Sequence, residues 1–426
     1  MTRYRWLFLG LLFLGTSLNY MDRIIFSVLM PVIRKDIPIS DKEYGYLTAA
    51  FQAAYGIGNL ALGKLVDASG GRIGYMLSVG WWSIAAACHA LSQRVLDLGM
   101  WRAALGLGEA GNFPVAVKTV AEWFPKQDRA FAMGVCVAST NVAAMIGPPL
   151  FIALSAAHGW RATFVLAGAA GLVVALAWGV FYRSPRHHGG VNRAELDYIA
   201  AGASEGEAAA ISWRAALGHR ETWGFALAKF FTDPVWWFYI FWLTLYLFDV
   251  RHLALNEIGW ALPVIYLTAD FGSLAGGWLP GYLIRRGWAS ARARKTAMAA
   301  CVVWMPLAAM AVFAPNIPLT VFLMSLGTMG HQGWSANLFT SVSDVYPSTA
   351  VGSVIGIGQA LASVGGILFS SLLPGFLVSH FGYAPVFVIL GSFHLIGLAC
   401  VHRLTGGLTT LKGQDRTPSK VASEQT

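Results

Sequence analysis

The stretch RSPRHHGGVNRAELDYIAAGASEGEAAAISWRAALGHR, residues 183–220, is the only long polar passage before the C-terminal tail, and it contains Pro185, His187, His188, Glu195, Asp197, Glu205 and Glu207. On either side the chain reads as apolar segments of about 20 residues, the length a helix needs to cross a bilayer core. Six of them precede the passage, near residues 6–33, 45–65, 75–95, 98–122, 128–155 and 160–182. Six follow it, near residues 221–248, 256–285, 296–314, 318–343, 350–380 and 383–404. The six-and-six layout predicts an all-α membrane protein, with twelve transmembrane helices in two pseudo-symmetric six-helix bundles. The expected division is a first bundle over 1–185, a linker over 186–220, a second bundle over 221–405 and a tail over 406–426 that reads as disordered.

Composition supports that class. Of 426 residues, 56% are hydrophobic and only 12% charged, whereas a soluble domain carries about a quarter charged residues. The formal net charge of +9 is a matter of topology and not of nucleic acid. With the N-terminus inside, twenty Lys and Arg fall in cytoplasmic loops and tails and six outside, a positive-inside bias that places both termini and the linker in the cytoplasm. Met1 to Met21 has a basic start and an apolar run but no small-residue cleavage site after it, so it reads as the first span. Cys88, Cys136, Cys301 and Cys400 lie in apolar segments without CxxC or metal-ligand spacing, so no metal or other cofactor is expected.

Four basic residues remain within spans: Arg23, Arg102, Lys118 and Lys229. An ionised side chain there costs a few kcal/mol unless it is paired or meets water, and so it marks function by default. The first span carries Asn19-Tyr20-Met21-Asp22-Arg23. In the fourth, Arg102, Gly106 and Glu109 share one helical face. Together they bring two proton acceptors and two anion-binding donors into one bundle. A carboxylate in a dry cavity is driven to hold a proton, while a neighbouring arginine opposes this. An anion that engages the arginine therefore alters protonation. Asp22 and Glu109 are the expected proton carriers, with Arg23 and Arg102 as partners for them or for substrate. The plainer alternative is a set of static ion pairs.

Lys229 has two candidate partners, Asp233 at i+4 and Asp270 in the eighth span. Among neutral polar groups, Tyr55, Asn59, Asn112, Asn141, Asn337, Thr340 and Gln359 serve either as interhelical glue or as contacts to a hydroxylated substrate. His331, beside Gln332, reads as packed. The run Gly106-Leu107-Gly108-Glu109-Ala110-Gly111 spells GxGxxG but lies inside an apolar helix, where small residues allow close packing, so it does not mark a dinucleotide site. No P-loop, HExxH or GxSxG occurs, against an ATP-driven pump or an intramembrane hydrolase, and no large signalling domain suggests a sensor.

Gly63-Lys64-Leu65-Val66-Asp67-Ala68-Ser69-Gly70-Gly71-Arg72 resembles the GxLxDxxGRR-type signature of the major facilitator superfamily, with Gly71 in place of one basic residue. The resemblance implies gating roles for Asp67 and Arg72. The corresponding place in the second half, Gly277-Trp278-Leu279-Pro280-Gly281, lacks the aspartate. Asn19 to Arg23, Arg102 to Glu109, and Glu122-Trp123-Phe124-Pro125 resemble the anion:cation symporter family. Phe231-Thr232-Asp233-Pro234-Val235-Trp236-Trp237, Ala269-Asp270 and His331-Gln332 are similar to bacterial hexuronate transporters. What this implies is a monomeric, non-enzymatic symporter of the bacterial inner membrane. It would import galacturonate or glucuronate, or else galactonate, glucarate or a related carboxylate, and be driven by a proton gradient without a cofactor. Membrane lipid is its only other expected partner. The resemblance makes Asp22 and Glu109 the proton-coupling acids, Arg23 and Arg102 their charge partners, and Tyr55 and Gln359 cavity contacts. With Lys229 and Asn337 from the reading of the spans, Arg23, Tyr55, Arg102, Lys229, Asn337 and Gln359 are the expected substrate contacts.

Overall fold

The computed structural model describes residues 2–200, 213–346 and 348–405. The middle of the expected linker, 201–212, and the expected disordered tail, 406–426, lie outside the described residues. All regular structure among the described residues is helical. The first span is α1 (Tyr4–Asp36). α2 (Asp41–Cys88) and α5 (Lys126–Phe181) each make two passes, because the chain reverses at Gly70 (φ 76°) and Gly159 (φ 81°). A residue with a Cβ is strained at such positive φ, so glycine at these two positions makes the sharp reversals possible.

Between them the fourth pass is broken into α3 (Val95–Glu109) and α4 (Asn112–Trp123). Short α6 (Arg193–Ala200) and α7 (Trp213–Leu217) lie within the linker. The second half follows with α8 (Arg220–Leu245), extended by a π-helical turn Tyr246–Val250, and α9 (Leu255–Arg285). Its ninth pass joins α10 (Ser290–Val302) and α11 (Trp304–Ala309) to a 3-10 turn ending at Phe313. The tenth is α12 (Ile317–Val345). The eleventh is α13 (Ser348–Gly366), a π-helical segment Ile367–Leu372 and α14 (Leu373–Phe381), and the twelfth is α15 (Ala384–Leu404). The twelve passes agree with the count read from the sequence.

The chain starts its passes with recognisable caps. Ser40 accepts from the Glu43 amide at 3.3 Å while Glu43 accepts from the Ser40 amide at 2.9 Å, a capping box that opens α2,. Asn316 accepts from the Leu319 amide at 2.9 Å and opens α12,. At the other end of a pass, Arg129 donates to the carbonyls of Phe124 and Ala121 at 3.0 and 2.9 Å and satisfies the last turn of α4,.

Large apolar side chains cover the outside: Leu91, Leu176, Val173, Trp260 and Leu274 are each more than 60% exposed. So much exposed apolar surface needs lipid around it. Polar groups are instead turned inward and paired across helices, for example Thr268 with Thr328 at 3.0 Å. The linker helix α6 packs on the first half, where buried Glu195 accepts from Thr2 at 2.5 Å and lies 3.9 Å from Arg5.

The two halves are joined by α1 against α8, α2 against α13 and α14, and α5 against α9. Toward the end remote from the termini, Ser27 donates to the Ile240 carbonyl at 2.8 Å and Tyr44 to the Phe241 carbonyl at 2.5 Å. Gln52 donates to Ser370 at 2.9 Å and Ser371 at 2.7 Å within the π-helical segment of the eleventh pass. At the rim Arg34 lies 3.4 Å from Asp249. π-helical turns are frequent at functional sites, and the one in the eleventh pass takes its side-chain contact from the opposite half.

Candidate functional site

Three passes build the centre of the first half. α1 brings Asn19, Tyr20, Asp22 and Arg23, α3 brings Arg102 and Glu109, and α2 brings Phe51 and Tyr55. Arg23 donates its Nε–H to Glu109 Oε2 at 2.6 Å and an Nη2–H to Asn19 Oδ1 at 3.0 Å. Both members of the ion pair are buried, at 2% and 0% side-chain exposure. Four aromatic rings surround the guanidinium: Tyr55 at 4.6 Å, Tyr20 at 4.7 Å, Trp237 at 5.4 Å and Phe51 at 5.8 Å. Trp237 belongs to α8, so this arginine lies at the seam between the halves. Cations over ring faces gain attraction that grows when water is excluded.

Asp22 and Arg102 are enclosed without a hydrogen-bonding partner. Neither oxygen of Asp22 and none of the three nitrogens of Arg102 makes a hydrogen bond within the protein, and Glu109 keeps Oε1 unpartnered. Arg102 is fully buried and rests over Phe51 at 4.4 Å and Phe26 at 4.7 Å. A buried charge is normally paired and hydrogen-bonded because desolvation costs several kcal/mol per ion.

A supporting network ties α1, α2 and α4 together behind that centre. Tyr75 donates to Asn112 Oδ1 at 3.0 Å, and Asn112 Nδ2 donates to Thr16 at 3.2 Å. The glycines of the GxGxxG run lie where α3 meets α2, and a Cβ at Gly106 would strike the Phe51 carbonyl. Phe51 thus reaches both arginines because Gly106 lets the helices close, which is the packing role expected of the motif.

The sequence profile of the Major Facilitator Superfamily matches residues 12–287 and 280–423. The chain belongs to the major facilitator superfamily. It is 31% identical to the hexuronate transporter of Escherichia coli (strain K12) over 92% of each chain. It is 32% identical to the galacturonate transporter of Dickeya chrysanthemi over 65% of this chain and 81% of that one. With the D-galactonate transporter of Escherichia coli O6:H1 the identity is 29%, over 95% of this chain and 96% of that one. The crystal structure of a bacterial homolog to the human lysosomal transporter Spinster, inward-facing and unoccupied, shares the fold at a TM-score of 0.75. It covers 96% of this chain and 97% of that one at 18% identity. The protein is therefore a multi-pass membrane transporter and not an enzyme.

Within this major facilitator fold the remaining expected residues fall in different places. Lys229 pairs with Asp233 at 2.7 Å on its own helix, which decides between its two candidate partners. Asp270 instead accepts from Asn141 across the halves. Gln359 is exposed on α13, one turn before Ser363, which lies against Gly56 of α2, so it too stands on the seam.

Asn337 is buried at 1% exposure, its Nδ2 donates to the carbonyls of Gly276 of α9 at 2.7 Å and Gly333 at 2.9 Å, and its Oδ1 has no partner within the protein. Arg72 donates twice to the Gly179 carbonyl, at 2.8 and 2.5 Å, while the side chain of Asp67 lies outside those described. Trp237 and Gln52 escaped the sequence reading. Trp237 looks like one more lipid-facing aromatic in an aromatic-rich span, and only the crossing of α1 and α8 gives it a charged partner.

Proposed function

We propose that the protein imports a hexuronate, galacturonate or glucuronate, together with protons across the bacterial inner membrane, by rocking of the two halves about the seam. The observation that carries this reading is the pair of enclosed, unpartnered groups, Asp22 and Arg102, beside the Arg23–Glu109 ion pair. The names of the three sequence relatives above, a hexuronate, a galacturonate and a D-galactonate transporter, support the substrate class. In the proposed cycle the substrate carboxylate replaces Glu109 on Arg23 or meets the open donors of Arg102. Glu109, released from its cation in a dry site, then takes a proton. Asp22, whose oxygens no donor touches, holds the other proton through the crossing. Removing one partner from a buried pair costs about 3–5 kcal/mol, so exchange of one carboxylate for another on the same guanidinium avoids most of that penalty.

In the same reading, Tyr55 lines the path from the first half's side, and Lys229, Asn337 and Gln359 line it from the second's. Asp67 and Arg72 act at the gate between the second and third passes. The chain works as a monomer, with both termini in the cytoplasm, since it carries both halves. A second reading keeps the mechanism and changes the cargo to galactonate or glucarate, favoured by the 29% identity to a D-galactonate transporter.

Counterflow of labelled galacturonate in proteoliposomes, competed by glucuronate, galactonate and glucarate, separates the two readings. Glucuronate is expected to compete best. Stronger competition by galactonate or glucarate would discard the hexuronate assignment.

A further inference from the structure

The second half holds a titratable cluster that the cycle above leaves idle. His331 on α12 and His394 on α15 meet at 3.2 Å, Nδ1 of the first to Nε2 of the second. The rings are buried at 5% and 0% exposure. The His331 ring lies parallel to Trp236 of α8, at 5.5 Å and 11°. Trp334 stands edge-on to His394 at 5.6 Å and donates to Thr232 of α8 at 3.2 Å. The two imidazoles are therefore fixed against α8 by an indole on each side. From α8 the charges of Asp233 and Lys229 act on His331. From α9 comes Tyr266, edge-on to Trp236 at 5.9 Å. Asp233 has 19% side-chain exposure and Lys229 3%, so the carboxylate is the more accessible of the two.

Two neutral imidazoles carry two N–H groups and two bare nitrogens. The shared bond uses one of each, so the ring that donates keeps a bare nitrogen, and the pair can take one further proton without breaking the contact. Nδ1 of His394 has no partner in the protein. Burial in the dry interior opposes that proton, so it is held only where an uncompensated anion nearby offsets the cost. While Lys229 neutralises Asp233, a cation on the imidazoles is unfavourable in the dry interior. An anion that draws Lys229 to itself leaves Asp233 uncompensated, and a proton on the neighbouring imidazoles restores the balance.

We propose that the His331–His394 pair is a second proton site, loaded when a substrate carboxylate takes Lys229 from Asp233. This rests on the anion-import reading above and adds a proton carried in the second half. The proton enters on the bare imidazole nitrogen, and the imidazolium keeps its bond to the partner ring.

The test reads protons taken up per galacturonate bound, by a pH indicator in weakly buffered detergent solution with binding followed calorimetrically. Wild type is compared with the double variant His331→Asn, His394→Gln and with Asp233→Asn. The double variant is expected to take up one proton fewer per bound anion. Unchanged uptake in it overturns the proposal, as does a loss confined to Asp233→Asn, which would give the proton to the carboxylate.

Because the double variant can fail to fold, wild type carrying labelled histidine is also examined by NMR. The signals of the two buried rings should move to imidazolium positions on adding galacturonate, and static signals overturn the proposal. If galacturonate does not bind, both readouts are taken with galactonate and glucarate. Failure of all three anions to bind overturns the import reading itself, and the proposal with it.

Discussion

Asp22→Asn is expected to abolish concentrative uptake while leaving exchange of anion for anion. The substitution keeps the volume of the side chain and removes its ability to carry a proton. In the proposed cycle Glu109 and Asp22 each carry a proton, each coupled proton is worth about tenfold accumulation per unit of pH difference, and coupling requires both sites. The variant should therefore equilibrate its substrate and stop there. The site tolerates the change sterically because Asp22 makes no hydrogen bond that an amide would break. Uptake under a gradient and counterflow without one, measured on the same proteoliposomes, separate the two effects. Full accumulation by the variant would remove Asp22 from the coupling mechanism, and loss of counterflow as well would make its role structural.

The second large effect concerns the Arg23–Glu109 pair, in which stability and transport should come apart. Arg23→Ala leaves Glu109 buried without its cation, and the expected loss is about 3–5 kcal/mol of stability. The double replacement Arg23→Met, Glu109→Leu removes both charges and fills the space with apolar atoms. Such replacements are often neutral for stability. The double variant should therefore recover most of the unfolding midpoint lost by Arg23→Ala, yet transport nothing. Tyr20, Phe51, Tyr55 and Trp237 already supply an apolar wall around the position. A double variant that still transports would reduce the pair to a helix clamp. A single variant as stable as wild type would mean that Glu109 does not need Arg23.

The twelve passes were legible because each needs only length and apolarity, and the linker stands out by lacking both. Where the passes break was less visible. Gly70 and Gly159 carry reversals, yet glycine is frequent throughout this chain, and the positive φ they share with Gly287 and Gly382 is not visible in the sequence. Charged residues in spans pointed to the centre of the first half, since Asp22, Arg23, Arg102 and Glu109 have no reason to be there except function or pairing. Which of them pair could not be read. Neighbours in sequence lie about 100° apart around a helix, so Arg23 reaches Glu109 while Asp22 does not share in that bond. Neutral residues were harder still. Asn337 and Gln359 look alike as polar residues in apolar helices, and only helix rotation turns the first onto α9 and the second onto the seam. His394 gave no signal at all, because its meaning comes from His331, 63 positions away in the chain.

The most direct test of the central claim is uptake of labelled galacturonate into proteoliposomes holding the purified protein, with and without an inward proton gradient. The account predicts accumulation above equilibrium only with the gradient, and its collapse when a protonophore is added. Uptake that is concentrative without a proton gradient, or that only equilibrates in its presence, would contradict it.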